Sequence, residues 1–167
     1  MPLSRDEQFN AIAAELGYSF EGEIKIGGNY TSVLRHAEYV YISGQVPRVG
    51  SDIVVRGRVG DETSLAQAQL AAKICVMRCL VLLRNSLGSL DKVAGILRMT
   101  VFTQSAADFT QQSEVGDAAS DILYRLFGET GVHTRTSVGV YQLPKNASVE
   151  IDMIAIAREG ACSGGTR

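Results

Sequence analysis

The sequence predicts an α+β domain, a mixed sheet with its helices packed on one face. Three observations carry this. Two segments keep an apolar face at helical spacing, a short one near the start and a long one in the middle. Between and after them lie stretches rich in β-formers, bounded by glycine, proline and asparagine. The order is helix, several strands, helix, strand, helix and a closing pair of strands.

Ser4 followed by Glu7 is a capping-box pattern that opens a helix over Arg5–Leu16, with Phe9, Ile12, Ala13 and Leu16 on one face and Gly17 as its stop. A β region follows. Residues 23–26 alternate, Gly27-Gly28-Asn29 turns, and 30–34 resumes. Residues 39–43 and 53–59 read as further strands. The longest element covers 64–87, where Leu65, Ala68, Ala72, Cys75, Cys79 and Leu83 recur at helical spacing before Gly88. Residues 93–104 form a strand. A helical stretch begins at Asp108, loosens near Gly116 and is firm over 118–127. The last strands, 136–142 and 148–157, are expected to form a hairpin through Leu143-Pro144-Lys145-Asn146. One domain over 1–160 and a flexible, glycine-rich tail over 161–167 account for the chain.

The 167 residues suffice for a full-sized core. Apolar residues make up 46% and charged residues 20%, a globular balance rather than a disordered one. The net charge of -2, with scattered basic residues, gives no expectation of a nucleic-acid partner. No apolar run is expected to reach the length needed to span a membrane, and residues 1–8 lack the apolar core of a signal peptide, so a cytoplasmic location is expected. Cys75 and Cys79 read as buried core residues, and Cys162 falls in the tail. No spaced set of cysteines and histidines marks a metal site, and no glycine-rich fingerprint or Walker loop marks a nucleotide site. No Gly-x-Ser-x-Gly elbow is present, and His133 reads as an ordinary loop histidine.

Three separated segments resemble the RidA/YjgF family. The first is Ile26-Gly27-Gly28-Asn29-Tyr30 with Tyr41-Ile42-Ser43-Gly44-Gln45-Val46-Pro47. The second runs over 91–109 and includes Val93, Val101-Phe102 and Asp108-Phe109. The third is His133-Thr134-Arg135-Thr136-Ser137-Val138, then Leu143-Pro144 and Val149-Glu150-Ile151. The resemblance spans about residues 24–157. It implies a chorismate-mutase-like fold and a homotrimer with clefts between subunits. It also implies hydrolysis of reactive enamines and imines, such as 2-aminoacrylate, to 2-oxo acids and ammonia, with no cofactor. On the family pattern Arg135 binds the substrate carboxylate and Glu150 orders the attacking water. Tyr30, Ser43 and Ser137 line the substrate pocket. The chain departs from the pattern at Asn29 in place of proline, at Ser137 in place of a common cysteine, and at Asp117 where asparagine is frequent. Its second helix is also longer.

The residue chemistry fits those roles. A guanidinium donates two parallel hydrogen bonds to a carboxylate and keeps its charge. Glu150 interrupts an apolar strand, and alternation sets it on the face opposite Val149, with Asp152 and Ile154. If the last two strands pair about 144–146, Glu150 lies near Tyr141 and Arg135 about 20 Å away. A shared site would then need neighbouring subunits. Two other functions compete: a non-catalytic trimer that senses a small carboxylate metabolite, and an endoribonuclease, a label some relatives carry. The negative net charge and the lack of paired histidines count against the latter.

Overall fold

A computed structural model describes residues 1–160; the tail expected over 161–167, with Cys162, lies outside the described residues. Helix α1 (Arg5–Leu16) has the capping box read from Ser4 and Glu7, and Gly17 closes it in the left-handed region at φ 74°. Strands β1 (Val33–His36) and β2 (Tyr39–Gln45) form an antiparallel pair. A small hairpin of β3 (Arg48–Val49) and β4 (Asp52–Ile53) follows. Helix α2 (Leu65–Leu87) is capped by Ser64 and Gln67 and ends at Gly88. Strand β5 (Val93–Gln104), helix α3 (Gln112–Phe127), strand β6 (Thr134–Val140) and strand β7 (Val149–Ala157) follow.

The five long strands make one sheet in the order β1-β2-β7-β5-β6. All neighbours are antiparallel except β5 and β6, which run parallel and are joined through α3. Helices α2 and α3 pack on one face, and α1 leans on α3. Between helices and sheet lies the main core, with Ile74, Met77, Leu80, Leu83, Met99 and Met153 among its fully buried side chains. The α+β fold with a mixed sheet and one helical face is therefore observed.

Four expectations need correction. Residues 23–26 have no strand to pair with, and β1 begins only at Val33, the first residue to find a partner in Ile42. The expected strand 53–59 breaks after Ile53, and Gly57, at φ 99°, turns the chain further on. Only single bridges survive there, Arg56 with Ala147 and Val59 with Thr63 and Ser105. Helix α3 runs unbroken through Gly116, which is buried against β6. The closing hairpin does not form. Strand β5 lies between β6 and β7, because the longest strand needs a partner on each side. Lys145 and Asn146, both left-handed at φ 59° and 58°, carry the chain across.

The expectation that no apolar run is long enough to span a membrane is also corrected: α2 is long and apolar enough by length and composition alone. Its apolar side chains are instead spent on the core, with fourteen of its residues buried.

Candidate functional site

The sheet holds the two principal candidates on opposite faces. Arg135 shares its register with Met99 and Met153, both buried on the helical side, and so points at α3. Glu150 shares its register with Phe102 on the face away from the helices. Strand spacing separates their Cα atoms by about 14 Å, with the sheet between the side chains. The 20 Å expected from a hairpin is thus replaced by a different obstacle, since one chain cannot turn both groups into one cavity.

Arg135 is anchored by a defined network. Nη1 donates to Ser120 Oγ at 2.9 Å, and Nη2 donates to the carbonyl of Ser113 at 3.1 Å. Nη2 also pairs with Asp117 Oδ1 at 2.9 Å. Ser120 Oγ lies 3.0 Å from His133 Nε2, and His133 Nδ1 lies 2.6 Å from the Gly131 carbonyl. Because that carbonyl can only accept, Nδ1 carries the proton; in the neutral ring Nε2 then accepts from Ser120, whose oxygen accepts from Arg135. Tyr124 stacks on the His133 ring at 5.5 Å. Gly116 gives the guanidinium its room. A Cβ there would stand 3.0 Å from Arg135 Cζ and 2.7 Å from Ser137 Oγ. Ser137 Oγ is buried without a hydrogen-bond partner. His133, read as a loop histidine, thus belongs to the support of Arg135.

The second half of the site surrounds Glu150. One extra residue between Ile42 and Gln45 bulges β2 against β7 and sets Ser43 and Gly44 side by side over the outer face. A Cβ at Gly44 would overlap the Glu150 carboxylate, so glycine is required for the carboxylate to lie there. Glu150 opens on a cavity of about 220 Å³ that Tyr30, Gly27, Lys145 and Arg78 help to line. Burial raises its pKa above the ordinary carboxylate value, and Asp152 adds to the rise. Tyr30 is half exposed at 53% and also borders a shallower depression with Ser43, Tyr41 and Asp152. Ser43 Oγ donates to the carbonyl of Thr31 at 2.8 Å. Tyr30, Ser43 and Glu150 therefore cluster on the outer side, and Arg135 and Ser137 on the helical side. Among the described residues no group of three or more histidine, cysteine or acidic side chains could hold a metal.

Sequence reasoning missed Ser113 and Ser120, which hold Arg135, and Arg78, which reaches the Glu150 cavity. A signal existed for Arg78, the one charge between Val76-Met77 and Cys79-Leu80 on an otherwise apolar stretch of α2.

Comparison with known proteins agrees with the fold and the motifs. The endoribonuclease L-PSP family pattern matches residues 21–157. Protein TCP17 of Trypanosoma cruzi is 35% identical over 127 residues, which cover 75% of this chain and 79% of that protein. A 2-iminobutanoate/2-iminopropanoate deaminase of Dermatophagoides farinae is 27% identical over 130 residues, 77% of this chain and 86% of that protein. Among solved structures, the protein Atu1372 of unknown function from Agrobacterium tumefaciens superposes with a TM-score of 0.83 at 32% identity, covering 92% of this chain and 95% of that one. The YjgF gene product of E. coli has the same fold at a TM-score of 0.55 and 23% identity, covering 80% and 91%. The family match over most of the chain, on a sheet and helices of the same arrangement, makes this chain a member of the endoribonuclease L-PSP family, also called RidA/YjgF.

Proposed function

We propose that the protein hydrolyses reactive 2-imino acids to 2-oxo acids and ammonia, at sites assembled between neighbouring copies of the chain in a homotrimer. The observation that carries this reading is Glu150, a carboxylate of raised pKa that Gly44 leaves facing a small cavity. Such a group is a stronger base than an ordinary glutamate and can take a proton from water. The imino acid's carboxylate binds Arg135 of one copy, displacing Asp117. Water held by Glu150 of the next copy attacks the iminium carbon, and one of its protons passes to the carboxylate, leaving a neutral carbinolamine. Glu150 returns that proton to the nitrogen and takes the hydroxyl proton as the C–N bond breaks, so that ammonia leaves and the 2-oxo acid remains. Tyr30 closes the pocket, and Ser43 and Ser137 line it. Orientation and a placed water suffice because imines are already electrophilic.

Two features support assembly from several copies. Arg135 and Glu150 lie on opposite faces, and the outer face exposes Leu34 (60%), Tyr41 (42%) and Val138 (38%) with no helix over them. Apolar area of this kind is buried in association.

The test is complementation. With 2-iminobutyrate generated in place by an amino-acid oxidase, Arg135→Ala and Glu150→Ala each lose the acceleration over buffer. Co-refolding the two variants restores up to about a quarter of wild-type activity, the share of clefts that receive both intact halves in a random trimer. A dead mixture, or full activity from a monomer, overturns the reading. The Arg135–Asp117 ion pair favours one second reading, binding of a small carboxylate without turnover. Saturable oxo-acid binding with no hydrolysis in the wild type would select it.

A further inference from the structure

The cavity beside Glu150 is strongly cationic. Arg78, Arg48, Lys25 and Lys145 line it against the single carboxylate of Glu150. Arg78 is its buried member, 7% exposed. Its Nη1 donates to the carbonyl of Arg48 at 2.9 Å and its Nη2 to Gln45 Oε1 at 3.1 Å, both neutral acceptors. Its Nε is buried without a partner, and among the described residues no carboxylate pairs with it. Burial lowers its pKa and Arg48 adds to that, while the thiols of Cys75 and Cys79 oppose it. A guanidinium withdrawn from water without a carboxylate in contact is costly, and an anion in the adjoining cavity relieves that cost.

Lys145 is presented to the same cavity from a prearranged loop. It and Asn146 both hold left-handed backbone, which an L side chain seldom adopts. Buried Gln104 fixes that loop, donating to Asn146 Oδ1 at 2.7 Å and accepting from the Leu143 amide at 2.8 Å. At about 220 Å³ the space suits a small metabolite rather than a drug-sized ligand.

We propose that Arg78 and Lys145 form a second anion subsite, so that the preferred ligands are 2-imino acids with an acidic side chain, held at both ends. This rests on the reading above for one end only. The ligand's first carboxylate sits on Arg135 of the neighbouring copy, its imine carbon meets Glu150, and its distal carboxylate meets Arg78 and Lys145.

The experiment compares two stable product acids by titration calorimetry on the full chain, 2-oxoglutarate and 2-oxobutyrate. Wild type is expected to bind 2-oxoglutarate at least about tenfold tighter, the contribution of one charge-assisted pair. Arg78→Met and Lys145→Gln each reduce that ratio. Arg78→Met is expected to melt no lower than wild type, since exchanging a buried unpaired charge for an apolar side chain is often stabilising. Equal affinities in the wild type, or a preference that survives both variants, overturn the subsite. Inorganic phosphate displacing 2-oxoglutarate with equal affinity overturns the dicarboxylate assignment. An Arg78-dependent preference in a protein that hydrolyses no imine removes the deaminase reading and leaves the subsite standing.

Discussion

Replacing Asp117 with asparagine isolates the cost of opening Arg135. The Asp117 carboxylate occupies Nη2 at 2.9 Å, on the edge of the fork that an incoming carboxylate needs. Asp117 is 61% exposed and Arg135 20%, so the pair stands at the mouth of the site and belongs with exposed ion pairs, worth about 0.2–1 kcal/mol. The shielded guanidinium sets the upper part of that range. A ligand that displaces Asp117 forfeits this energy, and Asp117→Asn returns it as affinity. Near 1 kcal/mol the gain is about fivefold. Asparagine keeps the side-chain shape, so Ser113, Ser120 and α3 still fix the arginine. Titration calorimetry with 2-oxobutyrate measures the change in Kd, and KM for 2-iminobutyrate should fall by a similar factor. Weaker binding by the variant would refute the argument, because Asp117 would then be holding the guanidinium in place rather than competing for it.

Gly116→Ala should weaken oxo-acid binding by about tenfold, because the new methyl crowds Arg135 and Ser137 at a typical overpacking cost of ~1–3 kcal/mol. Alanine's helix preference of about 1 kcal/mol offsets part of the loss in stability, so thermal melts should move little while binding falls. For Glu150, burial raises the folded-state pKa, so the folded protein holds this proton more tightly than the unfolded chain and stability declines as pH rises through that interval. Glu150→Gln should therefore raise Tm at neutral pH, with the gain fading as pH falls into the ordinary carboxylate range; an equal gain at every pH would contradict this. Cys75 and Cys79 are fully enclosed, and burial pushes both thiols up, so alkylation read by mass spectrometry should label them in denatured protein and not in native protein.

The parts of the fold that announce themselves locally were legible. Ser4, Glu7 and Gly17 bound α1, Ser64 and Gly88 bound α2, and β5 keeps the limits its residues suggest. What escaped depends on partners distant in sequence. Nothing within 134–157 says that β5 will separate β6 from β7, since a turn rich in proline and asparagine serves a hairpin and a crossing equally well. Gly116 looks like a helix breaker until Arg135 and Ser137 are seen to need its empty side. Glu150's face followed correctly from alternation, and the roles given to Arg135 and Glu150 came from the family motifs. Arg78 stayed hidden because a charge on a helix ordinarily marks its wet side, and here that side closes over a cavity.

The placement of β7 has a consequence for biosynthesis. Last to be translated among the strands of the described residues, it sits at the middle of the sheet, with β2 on one side and β5 on the other. Until residues 149–157 emerge, the nascent chain holds two unconnected ribbons with open inner edges. Completion is therefore a late, long-range event of the kind that slows folding and leaves strands open to misassociation. A ribosome-stalled chain ending before Val149 should be protease-sensitive throughout its β segments, and one carrying β7 beyond the exit tunnel should resist.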